Sequence, residues 1–178
     1  MTALVTTLVL GGARSGKSAF AEALVRADGR ERIYVATGTA GDHEMSERIA
    51  VHRARRGPDW RTIEEPLRLT DVIAREASQR TVLLVDCLTL WLSNLIFAER
   101  DSEAERATLV HVLKDAAGPV VLVSNEVGLG LVPDTPLGRR FRDAQGRLNQ
   151  AVAAVASRVV FVAAGLPLDL KPPRAWTA

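Results

Sequence analysis

Gly11-Gly12-Ala13-Arg14-Ser15-Gly16-Lys17-Ser18 decides how this 178-residue chain is read. The apolar run Leu4 to Leu10 precedes it, and Ala19-Phe20-Ala21-Glu22-Ala23-Leu24-Val25 follows with the look of a helix. Strand, glycine loop and helix are the setting in which G-x-x-x-x-G-K-[ST] means a phosphate-binding loop, or P-loop. Glycines let backbone N–H groups curl around phosphate oxygens where a Cβ would obstruct. Lys17 brings a point charge to the β- and γ-phosphates, and Ser18 offers a hydroxyl to Mg²⁺. The helix that starts there turns its partially positive end toward the anion. The competing reading is a glycine turn that binds nothing. The complete spacing favours a nucleoside triphosphate.

Outward from the loop, apolar runs alternate with helical patterns. Leu4–Leu10, Ile33–Thr37, Val82–Asp86, Val120–Ser124 and Val159–Val162 read as strands one to five. None alternates with polar residues, so each is buried on both faces, as in a parallel sheet covered by helices. Ser102-Glu103-Ala104-Glu105 reads as a capping box opening a helix toward Ala116. From Leu137, the residues Phe141, Ala144, Leu148, Ala151, Val152 and Val155 recur at helical spacing. The sequence therefore predicts an α/β, three-layer P-loop NTPase domain of RecA-like type, with a mostly parallel sheet flanked by helices. No repeat or composition break divides it, so residues 1–178 read as one nucleotide-binding domain with a loosely held tail over 171–178.

Composition narrows the function classes. Net charge is +2, from 23 Lys and Arg against 21 Asp and Glu, and aromatic residues are 4% of the chain. Arginines cluster between Arg48 and Arg61, which suits a local anion pocket better than a nucleic-acid surface. Cys87 is the only cysteine, so no internal disulfide forms, and it reads as a packed small side chain. Leu4–Leu10 is too short to span a bilayer, and no basic segment precedes it. A soluble cytoplasmic protein is expected.

Further stretches bear on what is done with the nucleotide. Asp86 ends a strand where P-loop folds place an acidic residue linked to Mg²⁺; the alternative is an ordinary strand-end aspartate. Ser124-Asn125-Glu126-Val127-Gly128-Leu129-Gly130 follows the fourth strand, as part of the site or as a plain glycine turn. On a helix starting near Asp42, Met45, Ile49 and His52 share one face, with Arg53 and Arg56 beside it. His52 is then either a packed core histidine or a nucleophile. Nearby cations disfavour imidazolium and would also offset charge in a phosphoryl-type transition state, so a neutral ring beside triphosphate can attack phosphorus.

At this point the chain resembles a known family, the bifunctional adenosylcobinamide kinase/adenosylcobinamide-phosphate guanylyltransferases of cobalamin biosynthesis. The resemblance runs from Leu8 to about Lys171. It rests on Gly11–Ser18, Tyr34-Val35-Ala36-Thr37, Glu44-Met45 with Arg48-Ile49 and His52, and Trp60-Arg61-Thr62 with Glu64. Val85-Asp86-Cys87-Leu88-Thr89 with Trp91, Ser124–Gly128, Val132-Pro133, Phe141-Arg142-Asp143 with Gly146, Asn149-Gln150 and Gly165-Leu166-Pro167 complete it.

The resemblance implies two activities. One phosphorylates adenosylcobinamide with a nucleoside triphosphate, GTP or ATP. The other moves GMP from GTP onto adenosylcobinamide phosphate through a guanylylated histidine, releasing pyrophosphate. His52 matches the nucleotidyl acceptor. GTP contacts carry over to Gly11, Gly12, Ala13, Arg14, Ser15, Gly16, Lys17 and Ser18. They carry over likewise to Gly38, Thr39 and Ala40, and to Arg53, Ala54, Arg55 and Arg56. Glu64 and Asp86 match acidic GTP contacts, with Ser18 and Asp86 serving Mg²⁺ and Asp86 open to a guanosine role. The family also implies a homo-oligomer, a trimer; composition and segment length point to no nucleic acid and no membrane span. Another P-loop small-molecule kinase and a nucleotide-dependent switch module are the readings that compete.

Overall fold

A computed structural model of the chain describes residues 5–38 and 57–171. The strands are β1 (Thr7–Gly11), β2 (Glu31–Ala36), β3 (Trp60–Glu64), β4 (Thr81–Asp86), β5 (Val120–Asn125), β6 (Arg158–Ala163) and β7 (Leu166–Lys171). The helices are α1 (Lys17–Arg26), α2 (Leu69–Glu76), α3 (Leu88–Phe97), α4 (Ser102–Asp115) and α5 (Pro136–Val155). The seven strands form one sheet in the order β3-β2-β4-β5-β1-β6-β7, parallel throughout except that β7 runs antiparallel to β6.

The two faces of the sheet carry different layers. Leu8, Ile33, Leu83, Val85 and Leu122 pack with α2, α3, α4 and α5 through residues such as Ile73, Trp91, Leu109 and Leu148. Val9, Tyr34, Leu84, Val121, Val123, Val160 and Val162 pack on the other face with Ala21 and Val25 of α1. Both faces being covered explains the unbroken apolar runs of the inner strands.

β3 and β7 are not among the sequence-predicted strands. Both are edge strands, and their sequences are polar in between: Trp60-Arg61-Thr62-Ile63-Glu64 and Leu166-Pro167-Leu168-Asp169-Leu170-Lys171. Every residue of β7 is exposed, and its proline sits at a sheet edge, where no partner strand needs its missing donor. The cap of α4 also differs from expectation. Asp101, one residue ahead of Ser102, is the N-cap, and its carboxylate accepts from the N–H groups of Glu103 and Ala104. Aspartate caps as well as serine and adds a negative charge at the positive helix end. For α5 the cap is Thr135, followed by Pro136 in the first turn. Leu4, at the head of the expected first strand, lies outside the described residues, as does the tail past Lys171.

β5 lies between β1 and β4, so the strand carrying the glycine loop and the strand ending in Asp86 are not neighbours. All three end at the same edge of the sheet, because they are parallel.

Candidate functional site

The loop between β1 and α1 has the backbone that its glycines permit. Gly16 takes φ 94° as the N-cap of α1, and Arg14 takes φ 56°. A Cβ on Gly11 would stand 2.5 Å from both Ser15 Oγ and the Val162 carbonyl, so that position admits glycine alone. The Gly12 carbonyl accepts from the Ser15 N–H at 3.3 Å and from Lys17 Nζ at 3.0 Å. Lys17 is 9% exposed, so its ammonium lies folded into the loop. Gly16 supplies no side-chain cap and the first turn holds no acidic residue. The helix thus opens on the loop without a side-chain cap from Gly16 or an acidic residue in its own first turn, and a helix start of this kind suits a phosphate.

The neighbouring segments grip this loop. Glu126 N–H donates to the Gly11 carbonyl at 3.1 Å, and Gly165 N–H donates to the Ser15 carbonyl at 2.8 Å. Gly165 belongs to the two-residue turn between β6 and β7, where Ala164 has φ 50° and Gly165 φ 80°.

Gly38, Glu64 and Asp86 gather at the same edge, each at the C-terminal end of one of three adjacent strands. Ala36 at the end of β2 is in register with Glu64 on one side and Asp86 on the other. Alternation along each strand turns Glu64 and Asp86 to the α1 face, the face of the glycine loop. Tyr34 donates its phenolic O–H to Asp86 Oδ2 at 3.0 Å. Thr37, fully buried, accepts from Cys87 N–H at 2.8 Å and donates to the Cys87 carbonyl at 2.7 Å. Ligands of open α/β sheets bind at such a carboxyl edge.

The Ser124–Gly130 stretch joins the site through backbone, not as a detached turn. Asn125 N–H donates to Thr89 Oγ1 at 2.8 Å, and Asn149 Nδ2 donates to the Asn125 carbonyl at 3.1 Å. Asn149 Oδ1 in turn accepts from Ser124 Oγ at 2.7 Å and from Gln145 Nε2 at 2.9 Å. A buried polar network on α5 thus holds the end of β5 beside the loop, with Gln145 Oε1 its one buried acceptor left without a hydrogen bond among the described residues.

Three other groups are settled by their surroundings. Burial, with the charge of Asp86 added, pushes the Cys87 thiol up to about 11, so it stays protonated and is no nucleophile. His111 sits on the surface of α4 beside Asp115 at 3.4 Å, away from the loop edge. Arg61, the last of the arginine cluster, is committed to Glu31 and Glu76. His52, Thr39, Ala40, Arg53, Ala54, Arg55 and Arg56 lie outside the described residues.

Sequence reasoning named the loop, Gly38, Glu64 and Asp86, and the structure brings these to one edge. It gave no role to Tyr34, Thr37, Thr89 or Gln145. Tyr34, Thr37 and Thr89 have partners 36 to 52 residues away, beyond any local pattern, and Gln145 reaches Ser124 21 residues away as well as Asn149 one helical turn on. Among the described residues no cluster of three or more His, Cys, Asp or Glu side chains forms a metal cage. Ser18 and Asp86 offer hard oxygen donors only, the set that suits a Mg²⁺ carried in by nucleotide phosphates.

Residues 7–170 match the family described as cobinamide kinase / cobinamide phosphate guanyltransferase. The chain is 51% identical over 166 residues to the bifunctional adenosylcobalamin biosynthesis protein CobP of Pseudomonas aeruginosa, covering 92% of this chain and 96% of that one. It is 39% identical to the Escherichia coli protein CobU, also called bifunctional adenosylcobalamin biosynthesis protein, over 92% of this chain and 98% of that one. Among solved structures, an ATPase of a bacterial type III secretion system superposes with a TM-score of 0.58 at 11% identity, over 93% of this chain and 56% of the other. That likeness concerns the fold, a RecA-like P-loop sheet. With the loop, the acidic edge and the match over nearly its whole length, the chain belongs to the cobinamide kinase / cobinamide phosphate guanyltransferase family.

Proposed function

We propose that this chain carries out both reactions of its family on one nucleotide site. In the first, a hydroxyl oxygen of adenosylcobinamide attacks the γ-phosphorus of a triphosphate. The bond from that phosphorus to the β-phosphate oxygen breaks, and the nucleoside diphosphate leaves. In the second, a ring nitrogen of His52 attacks the α-phosphorus of GTP and pyrophosphate leaves. The phosphate of adenosylcobinamide phosphate then displaces the histidine, giving the GDP-linked cobinamide and restoring the ring.

The observation that carries this reading is the uncapped start of α1 with Lys17 folded beneath it, facing an edge that holds Glu64 and Asp86. Gly11–Ser18 bind the polyphosphate, and Lys17 with the loop amides stabilises the charge that leaves. Gly38, Thr39, Ala40, Glu64 and Asp86 make up the rest of the GTP site with Arg53, Ala54, Arg55 and Arg56. Mg²⁺, held by Ser18 and Asp86, neutralises polyphosphate charge when bound.

The test uses GTP labelled at the α- or the γ-phosphate with adenosylcobinamide as acceptor. We expect γ-label in the corrinoid phosphate and α-label first on the protein, then in the corrinoid. Transfer of γ-label to another acceptor with no protein adduct marks a different kinase. Phosphate release with no transferred group marks a switch module.

We also propose that the chain acts as a homo-oligomer, a trimer. Support comes from Leu166, Leu168 and Leu170, which stand 73%, 60% and 54% exposed on β7, the edge strand of the sheet among the described residues. Light scattering on the protein and on Leu168→Lys checks this, and a monomer in both overturns it.

A further inference from the structure

We propose that Leu129, Leu131 and Val132 form the apolar platform on which the ring of the corrinoid acceptor rests beside the nucleotide. This deepens the proposed function and rests on it.

Leu129, Leu131 and Val132 are 82%, 96% and 62% exposed on the segment that joins β5 to α5. From Val127 to Pro133 no residue is charged, in a chain of which 25% is charged. Single exposed leucines are ordinary, whereas large apolar side chains gathered on one short stretch mark a binding surface. Side chains brace this segment at both ends. Glu126 Oε1 accepts from the Gly128 N–H at 2.6 Å. Arg139 Nη1 donates to the carbonyls of Pro133 and Asp134 at 2.9 and 2.8 Å. A Cβ on Gly138 would stand 2.8 Å from Pro133 Cβ, so the glycine lets Pro133 lie against the first turn of α5. Apolar groups presented on a braced backbone lose little freedom when a ligand covers them.

Position identifies the occupant. Asn125 pairs with Gly11 in register, and the Glu126 N–H donates to the Gly11 carbonyl at 3.1 Å. Leu129 follows three residues later, so its Cα lies within about 11 Å of that of Glu126. The platform thus begins at the root of the glycine loop, on the carboxyl edge where an acceptor must meet the phosphates. Other exposed apolar residues are placed differently. Phe97 ends α3, which starts at Leu88 beside the carboxyl edge and runs roughly 13 Å from there. Leu168 and Leu170 lie down β7, which runs antiparallel and so away from the edge. Leu166 stands on the edge, but across β1 from β5. A corrinoid is a broad ring with apolar faces and a rim of methyl groups and amide arms, a shape that three aliphatic side chains can carry. Those three fall well short of the about 800 Å² per partner that a stable protein–protein contact buries.

The experiment measures adenosylcobinamide binding by equilibrium dialysis to the full chain holding a non-hydrolysable GTP analogue. The double variant Leu129→Ser/Leu131→Ser should weaken corrinoid binding roughly tenfold or more. Leu129→Met/Leu131→Met, which keeps the apolar surface, should bind near the wild-type value. Phe97→Ser should also bind as wild type does. Affinity for the GTP analogue and the mass by light scattering should be unchanged in all of them. Wild-type corrinoid affinity in the serine variant overturns the proposal. An equal loss of GTP-analogue affinity would make the segment a support of the glycine loop, and a fall in mass would make it a subunit contact; either result also overturns it. Failure of the wild-type protein itself to bind adenosylcobinamide, with γ-label passing to another acceptor, would instead remove the proposed function beneath it.

Discussion

The N–H of Gly165 is 2.8 Å from the carbonyl of Ser15, and the Cα of Gly165 lies 3.1 Å from where a Cβ on Gly16 would stand. The tip of the β6–β7 hairpin is thereby seated against the glycine loop, 149 residues earlier in the chain. The loop's shape is a property of that contact as well as of its own glycines.

Gly16→Ala should accordingly damage both stability and nucleotide binding. The side chain would sit at φ 94° and press on Gly165. Left-handed backbone alone costs roughly 1–2 kcal/mol for a residue with a Cβ. Thermal melting and GTP-analogue titration should both show a loss; wild-type values in both would mean that the loop does not hold this conformation.

Ala164→Asn should do the reverse. Ala164 occupies the first position of a two-residue turn with φ 50°, followed by Gly165 at φ 80°. Both positive angles match the hairpin turn that favours Asn-Gly. We expect stabilisation of about 1 kcal/mol or less, which for a chain of this size raises Tm by ~2–4 °C per kcal/mol. A lower Tm would contradict the turn assignment.

Lys17→Ala should impair both half-reactions, because in the proposed mechanism each holds the same polyphosphate in the same loop. Loss of one such charged contact costs a few kcal/mol of transition-state stabilisation, about two decades or more in rate. Separate assays of corrinoid phosphorylation and guanylyl transfer check this. Near-normal rates in either would show that the two do not share the loop.

Acid stability carries a distinct signature at Glu76. The Arg61 hydrogen bond first, then that of Arg75, holds the Glu76 carboxyl below its ordinary value of 4.5. A carboxylate depressed by folding stabilises the fold above its unfolded pKa, and this is lost as pH falls through the folded pKa. Glu76→Gln should therefore be less stable than wild type at pH 7, with the gap closing as pH drops below about 4.5. Denaturant melts at pH 7, 5 and 3 measure it; a gap that stays constant would remove the linkage.

The proposed protein–GMP adduct on His52 should be labile in acid and stable in alkali. A phosphoramidate on imidazole leaves readily once the ring is protonated and poorly while it is neutral. His52→Ala should abolish the adduct and leave cobinamide phosphorylation measurable. Counting α-label on denatured protein after each treatment checks both; label that survives acid and is lost in alkali would exclude a histidine acceptor.

The inner sheet was legible because burial on both faces writes itself as continuous apolar runs. Val82–Asp86 and Val120–Ser124 fall within one residue of their observed strands at each end. β3 and β7 escaped because an edge strand needs to satisfy only one neighbour, and Arg61, Pro167 and Asp169 break the pattern. In the site, the loop was legible because its chemistry demands residues close in sequence. Tyr34 was not, since a side chain that acts by holding Asp86 is recognised only after the strands are paired; Gln145 lies one helical turn from Asn149, but its contact with Ser124 needs the helix set against β5.

The interposition of β5 between β1 and β4 fixes the gauge of the cleft. Two inter-strand steps separate the root of the glycine loop from the root of Asp86, a span of about 9–10 Å. A bound phosphate chain and its hydrated cation can be accommodated in that width with neither backbone displaced. Direct adjacency of the two strands would halve the spacing and press the carboxylate toward the phosphates it must repel. The sheet order thus acts as a ruler, set before any ligand arrives.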